Sequence, residues 1–234
     1  MNAKPTEVLL PVHEARMKRF ATHGQASAAL AAAVAADLEE AVEERGAASL
    51  AVPGGTTPGE FMSILAQRDL GWPWITVTLT DERWVPPTSD RSNAGLVART
   101  LGHSPRPYQW WPMWREGCSP LDAARQLDAE SRSAPWPLDA VVLGMGEDGH
   151  VASLFPDDET GFDPHGRSRF VAVTAPTGET RLSLSASAIV EARQVYLLLK
   201  GAAKQARLAA ATSRLPVARI LAMRPTPIVV FASD

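Results

Sequence analysis

A single cysteine, Cys118, stands in 234 residues. No disulfide can therefore form within the chain, and its core must hold by packing alone. Long apolar runs are missing too. The most apolar stretch, "ASAALAAAVAADLEEAVEER", is mostly alanine and takes on Asp37, Glu39 and Glu40 before it ends. That is too weak and too interrupted for a membrane span. Met1–Phe20 has only a short apolar run before His13 and Glu14, not the apolar region of a signal peptide. Charge of one sign is not in excess: 23 Lys and Arg face 26 Asp and Glu, a net charge of −3. Nothing global advertises nucleic acid or an anionic membrane as partner. An anionic substrate would have to be met by a few local groups. The expectation is a soluble, cytoplasmic protein.

Several nucleotide and nucleophile signatures are absent as well. There is no Walker A loop and no GxGxxG, so a nucleotide is not indicated. No G-x-S-x-G elbow surrounds Ser153. Carboxylates and histidine at Asp81, Glu82, Asp148 and His150 could approach an ion, but no two of them stand at HExxH-like spacing. No metal site and no cofactor are expected.

What is present is 45% hydrophobic residues with 21% charged, the composition of a globular domain. Residues 24–45 read as a long helix, with Leu30, Val34, Leu38 and Val42 at four-residue spacing and Gly46 as a stop. Short apolar strands are predicted at 48–52, 74–80, 138–143, 169–175, 181–185, 194–200 and 227–233, with a shorter one within 108–113. Helices are predicted at 58–67, 92–101, 120–131 and 201–212. Several strands are apolar throughout rather than alternating, as in a sheet covered on both faces. The prediction is an α/β fold: one doubly wound, mostly parallel open sheet with helices on both faces, forming a single domain over 1–234. The Pro- and Gly-rich stretches at 86–91, 102–107 and 156–168 read as loops within it.

In such sheets a ligand lies beyond the carboxyl ends of the strands. Three loops there carry unusual chemistry. In "PGGTTP" (53–58), Gly54 and Gly55 free the backbone to approach a ligand, and Thr56 offers a hydroxyl. Thr57-Pro58-Gly59-Glu60 fits a capping box, with Thr57 as cap. The alternatives are a phosphate-sized cradle or a tight strand-to-helix turn with no ligand. "TDERW" (80–84) sets Asp81, Glu82 and Arg83 where substrate would lie, or else ties them in a loop salt bridge. "GMGEDGH" (144–150) places Asp148 two residues before His150 on a glycine-bent loop. That carboxylate can orient an imidazole and raise its basicity, or simply cap the turn. Cys118 and the tryptophans read as packing.

"PGGTTP", "TDERWVPPTSDRSN", "VVLGMGEDGHVASLFP", "RLSLSASAI" and "LLLKGAAKQ" occur in the order and spacing of the 6-phosphogluconolactonase family. The chain resembles that family over nearly its whole length. The related glucosamine-6-phosphate deaminases share the GxGxDGH core but continue differently after it, and they read DEY where this chain reads DER. Two positions depart from the family pattern: Pro53 stands where serine is usual, and Ala94 where a bulkier residue often follows the asparagine. The resemblance implies a cofactor-free α/β domain that hydrolyses 6-phospho-D-glucono-1,5-lactone. In that scheme His150 is the base and Asp148 orients it, while Arg83 polarises the carbonyl or clamps a substrate oxygen. Gly54, Gly55, Thr56 and Thr57 hold the 6-phosphate. Arg181 and a lysine add positive charge; Lys200, at a strand end, is preferred over Lys204. The partner is a small sugar phosphate, and the protein is expected to be a monomer or small homo-oligomer. Two other readings stand beside this one. The first is an amino-sugar-phosphate isomerase or deaminase with Asp81 as the base. The second is a non-catalytic sugar-phosphate sensor, which would need a helix-turn-helix that the short segment before residue 24 cannot supply.

Overall fold

The computed structural model describes residues 6–9, 15–162 and 168–234. Half of the stretch read for a leader peptide falls outside them, as does part of the loop expected at 156–168. The chain begins with β1 (Thr6–Leu9) and β2 (Arg16–Phe20), neither of which its pattern predicts. α1 (His23–Arg45) follows. Thr22 caps it by accepting from the backbone N–H of Gln25, and Gly46 ends it in the left-handed conformation at φ +74°. Leu30, Val34 and Leu38 are buried as their spacing predicts. Ala26, Ala31, Ala35 and Ala41 are buried beside them, so the helix can lie close on its sheet.

The remaining strands are β3 (Ala48–Val52), β4 (Ile75–Leu79), β5 (Asp81–Arg83), β6 (Gln109–Trp110), β7 (Ala140–Leu143), β8 (Phe170–Thr174), β9 (Thr180–Leu184), β10 (Gln194–Lys200) and β11 (Val229–Ser233). Between them run α2 (Gly59–Ala66), α3 (Asn93–Thr100), α4 (Pro120–Glu130), α5 (Ala186–Glu191), α6 (Ala202–Ala209) and α7 (Pro216–Met223). Eight strands make one sheet in the order β1-β2-β11-β10-β7-β3-β4-β6. Every neighbouring pair is parallel except β1 with β2. This is the expected α/β architecture. β3 and β7 are buried along their whole length, which explains why their sequences are apolar but for Ser49, whose hydroxyl donates to Asp139. α1 packs across β2, β11, β10, β7 and β3, and α2 packs against α1 and α3. From β3 the chain winds outward through β4 to β6, then returns to β7 and winds the other way through β10 and β11. The winding therefore reverses between β3 and β7.

One layer departs from the prediction. β5, β9 and β8 form a separate antiparallel sheet rather than joining the main one. The tight "APTGET" turn, with Gly178 at φ +81°, folds β8 back on β9 as a hairpin. A hairpin can only be antiparallel. The three residues of β5 are too short a run to declare themselves as a strand.

Candidate active site

A reversal of winding leaves a crevice at the carboxyl ends of the two strands that flank it. Here those strands are β3 and β7, and the loops leaving them are "PGGTTP" and "GMGEDGH". Both loops line a cleft of about 260 Å³, with Asp81 and Arg83 of β5, Arg181 of β9, Asn93, Ala152, Leu198 and Lys204.

In the first loop the two glycines serve different ends. A side chain on Gly54 would begin 1.9 Å from Oδ1 of Asn93. The missing side chain of Gly54 therefore makes room for Asn93, while its backbone stays on the cleft. Gly55 adopts φ +89° with open space around it, so there the backbone conformation itself demands glycine. The expected capping box does not form: α2 starts at Gly59, Pro58 occupies the cap, and no side chain caps it. Thr57 is thus left on the cleft. Its carbonyl accepts a 2.9 Å hydrogen bond from Nε2 of His23, whose ring also lies 3.8 Å from Glu60. The partner that Glu60 lacks in a capping box it finds in α1.

Alternation along β5 sorts the "DER" triplet. Asp81 and Arg83 face the cleft, and Glu82 turns to the opposite side, fully buried. The Glu82 carboxylate accepts from the backbone N–H groups of Arg83, Asn93 and Ala94 and from the Ser92 hydroxyl, all at 2.8–2.9 Å. It sits at the N-terminus of α3, where the helix favours negative charge. Burial still pushes its carboxyl above the usual carboxylate range, against those hydrogen bonds. The sequence places Glu82 among the substrate-facing carboxylates; the structure makes it the anchor of α3. That anchor sets Asn93, whose side-chain N–H₂ donates to the Asp81 carbonyl at 2.8 Å and whose Oδ1 accepts from Nη1 of Arg83 at 3.0 Å. Asn93 so joins the phosphate-loop candidate to β5. Its only sequence signal is its place closing "TDERWVPPTSDRSN".

Asp81 is nearly buried. Its Oδ2 accepts from the Ser153 hydroxyl at 2.6 Å and lies 3.7 Å from Nη1 of Arg181. Ser153 is itself fully buried, so its hydroxyl orients a carboxylate.

In the third loop His150 lines the cleft and Asp148 stands behind it. Nδ1 of His150 lies 2.6 Å from Oδ1 of Asp148, which also accepts from the His150 backbone N–H at 3.1 Å. Burial works against the charged form of Asp148, but the backbone N–H, the charge and the ring of His150 outweigh it and hold the carboxyl below its usual range. An ionised carboxylate can only accept, so Nδ1 carries a proton, and in the neutral ring it is Nε2 that has the lone pair. A side chain on Gly146 would start 2.2 Å from the His150 ring and 2.5 Å from Asp148. That glycine is the space the pair occupies. The ring packs 5.0 Å from Phe155, and the Arg181 guanidinium lies 5.6 Å over the same aromatic.

Of the two lysines, Lys200 is exposed at the end of β10 and does not line the cleft. Gly201, at φ +99°, turns the chain into α6, whose first turn brings Lys204 to the cleft instead. Cys118 lies away from it, beside Gln126. Among the described residues no group of three or more His, Cys, Asp or Glu side chains is placed to hold a metal. No described helix is long and apolar enough to cross a membrane.

Residues 21–229 match the model of the glucosamine-6-phosphate isomerases/6-phosphogluconolactonase family. The chain belongs to this family. A 6-phosphogluconolactonase of Mesorhizobium japonicum is 42% identical over 220 residues, covering 91% of this chain and 92% of that protein. One from Pseudomonas aeruginosa is 39% identical, over 82% of this chain and 85% of that protein. The crystal structure of a 6-phosphogluconolactonase from Shewanella baltica superposes with a TM-score of 0.88 at 34% identity, covering 95% of this chain and 99% of that one. A monomeric glucosamine-6-phosphate deaminase shares the fold, with a TM-score of 0.76 at 17% identity over 93% and 97% of the two chains. Within the family, the chain's similarity thus runs most strongly to proteins named as lactonases.

Proposed function

We propose that the protein hydrolyses 6-phospho-D-glucono-1,5-lactone to 6-phosphogluconate, the second step of the oxidative pentose phosphate pathway, without metal or cofactor. The observation that carries the chemistry is His150: an imidazole on the cleft whose Nδ1 is committed to Asp148 and whose Nε2, without a partner among the described residues, is the nitrogen that can take a proton. A lactone is an activated ester and needs no covalent nucleophile. Nε2 takes a proton from a water, and the resulting hydroxide adds to the lactone carbonyl. The oxyanion so formed is met by a fixed cation. The bond from the carbonyl carbon to the ring oxygen then breaks. That oxygen takes the proton back from His150 and becomes a hydroxyl, leaving a carboxylic acid that ionises.

Arg181 is assigned to the oxyanion, because it and His150 pack on the same Phe155. Arg83 is assigned to the phosphate with Gly55, Thr56, Thr57 and Lys204, because Asn93 ties it to the loop. This exchanges the roles suggested for the two arginines by the sequence, and puts Lys204 in place of Lys200. Asp81, held by Ser153, orients substrate hydroxyls. The name carried by the most similar relatives favours the lactone over an amino-sugar phosphate. We further infer a single domain, a cytoplasmic location, a monomer or small homo-oligomer, and no nucleic-acid partner. The test is a coupled assay on freshly generated lactone, corrected for spontaneous hydrolysis and repeated after dialysis against a chelator. Acceleration in both is expected. No acceleration of the lactone, with ammonia released from glucosamine 6-phosphate, would make the deaminase reading the right one.

A further inference from the structure

The antiparallel register sets Arg83 of β5 directly opposite Arg181 of β9. Like charges at facing positions repel. Both side chains are largely withdrawn from water, with 28% and 17% of their surface exposed. Burial first, and Arg181 second, lower the Arg83 pKa from its usual value. Such a pair needs a counter-charge, and the cleft offers only Asp81, 3.7 Å from one nitrogen of Arg181.

A second and closer counter-charge lies outside the cleft. Glu179, on the turn from β8 into β9, accepts from Nε of Arg181 at 3.1 Å with Nη2 at 3.0 Å, and stands 3.7 Å from Nε of Arg83. Its other oxygen takes Arg91. The donors of Arg83 can then be assigned in full. Nη1 serves the Arg91 carbonyl and Asn93, Nε lies 3.7 Å from Glu179, and among the described residues Nη2 has no partner and can meet a ligand. Resting on the lactonase reading of the cleft, we propose that Glu179 is a positioning residue: it grips the rear edges of both guanidiniums, lets two cations share one small cleft, and aims their remaining donors at an anionic substrate.

Glu179→Gln separates this from a simple charge effect, because the two predict opposite signs. Deleting a carboxylate near an anion site should, by charge alone, strengthen substrate binding and raise kcat/KM. If Glu179 positions the arginines, kcat/KM on the phosphorylated lactone falls instead, by up to about 100-fold for a displacement near 1 Å. An unchanged or raised kcat/KM overturns the proposal. A second readout needs neither substrate nor turnover. In the wild type the Arg181 Nε–H should give a slowly exchanging NMR signal, and in Glu179→Gln, whose amide oxygen still accepts but carries no charge, that signal should shift and exchange faster while the backbone spectrum is kept. Its persistence unshifted overturns the proposal. Glu179→Asp keeps the charge one methylene short and should lie between the two in both readouts; it serves if the glutamine variant does not fold, and wild-type values for it in both overturn the proposal. A wild type that bound no sugar phosphate and left the lactone untouched would remove the lactonase reading, and the arginine signals would still decide the role of Glu179.

Discussion

Gly146→Ala tests the proposed catalytic pair without touching either member. Gly146 is not among the residues with positive φ, so alanine strains no backbone there. The perturbation is steric only. The new methyl group would lie 2.2 Å from Cε1 and Nδ1 of His150 and 2.5 Å from Oδ1 of Asp148, the two side chains that share the 2.6 Å hydrogen bond. Real contacts of this kind begin beyond 3 Å, so the imidazole must retreat by about 1 Å or rotate away. Its side chain is 29% exposed and faces an open cleft, so it can move without disturbing the core. The stability change should therefore stay within about 1 kcal/mol, partly offset by the lower entropy of the unfolded alanine chain. Turnover should fall by roughly 10²-fold or more, since a misplacement near 1 Å costs about that much at a reacting centre. The assay is coupled hydrolysis of freshly made lactone, with thermal unfolding run alongside. A folded Gly146→Ala enzyme with kcat within about three-fold of wild type would refute the claim that this geometry sets the rate.

Three further outcomes are expected. His150→Ala should lower kcat by roughly 10²–10⁴ with little change in melting temperature, and near-normal turnover in the folded variant would remove His150 from the mechanism. Thr56→Ala should raise KM for the phosphorylated lactone, through loss of one hydroxyl contact worth about 0.5–1.5 kcal/mol, or up to about 3 to charged phosphate, and should hardly affect the non-phosphorylated lactone. Equal damage to both substrates would mean that the loop supports the fold alone. For Asp148 the folded carboxyl is held below its unfolded value, so its contribution to stability is complete above that value, near pH 4, and is lost as pH falls through the lowered one. The stability gap between wild type and Asp148→Asn should thus be constant at neutral pH and close only in acid; a gap that opens instead toward acid contradicts the sign.

Much of this protein is local and therefore legible in one dimension. The four-residue spacing of Leu30, Val34 and Leu38 marks α1, and Gly46 marks its end. β3 and β7, apolar but for Ser49, announce a sheet covered on both faces. Glycines, carboxylates and a histidine at the ends of strands point to the loops around which the cleft is built, and the Asp148–His150 spacing of two leaves contact open, which the structure shows at 2.6 Å. These signals lie within one helical turn, one strand or one loop, where backbone geometry alone relates the residues. The tertiary structure decided what depends on residues far apart in the chain. Only the packing of Asn93 shows that the missing side chain of Gly54 makes room for another side chain. Only the pairing of β5 with β9 turns Glu82 away from the cleft and sets Arg83 against Arg181. The turn at Gly201 brings Lys204, and not Lys200, to the cleft. Each outcome follows from register and from which layers meet, because the free energy of burying a contact depends on both partners, and either partner's local sequence carries only half of it.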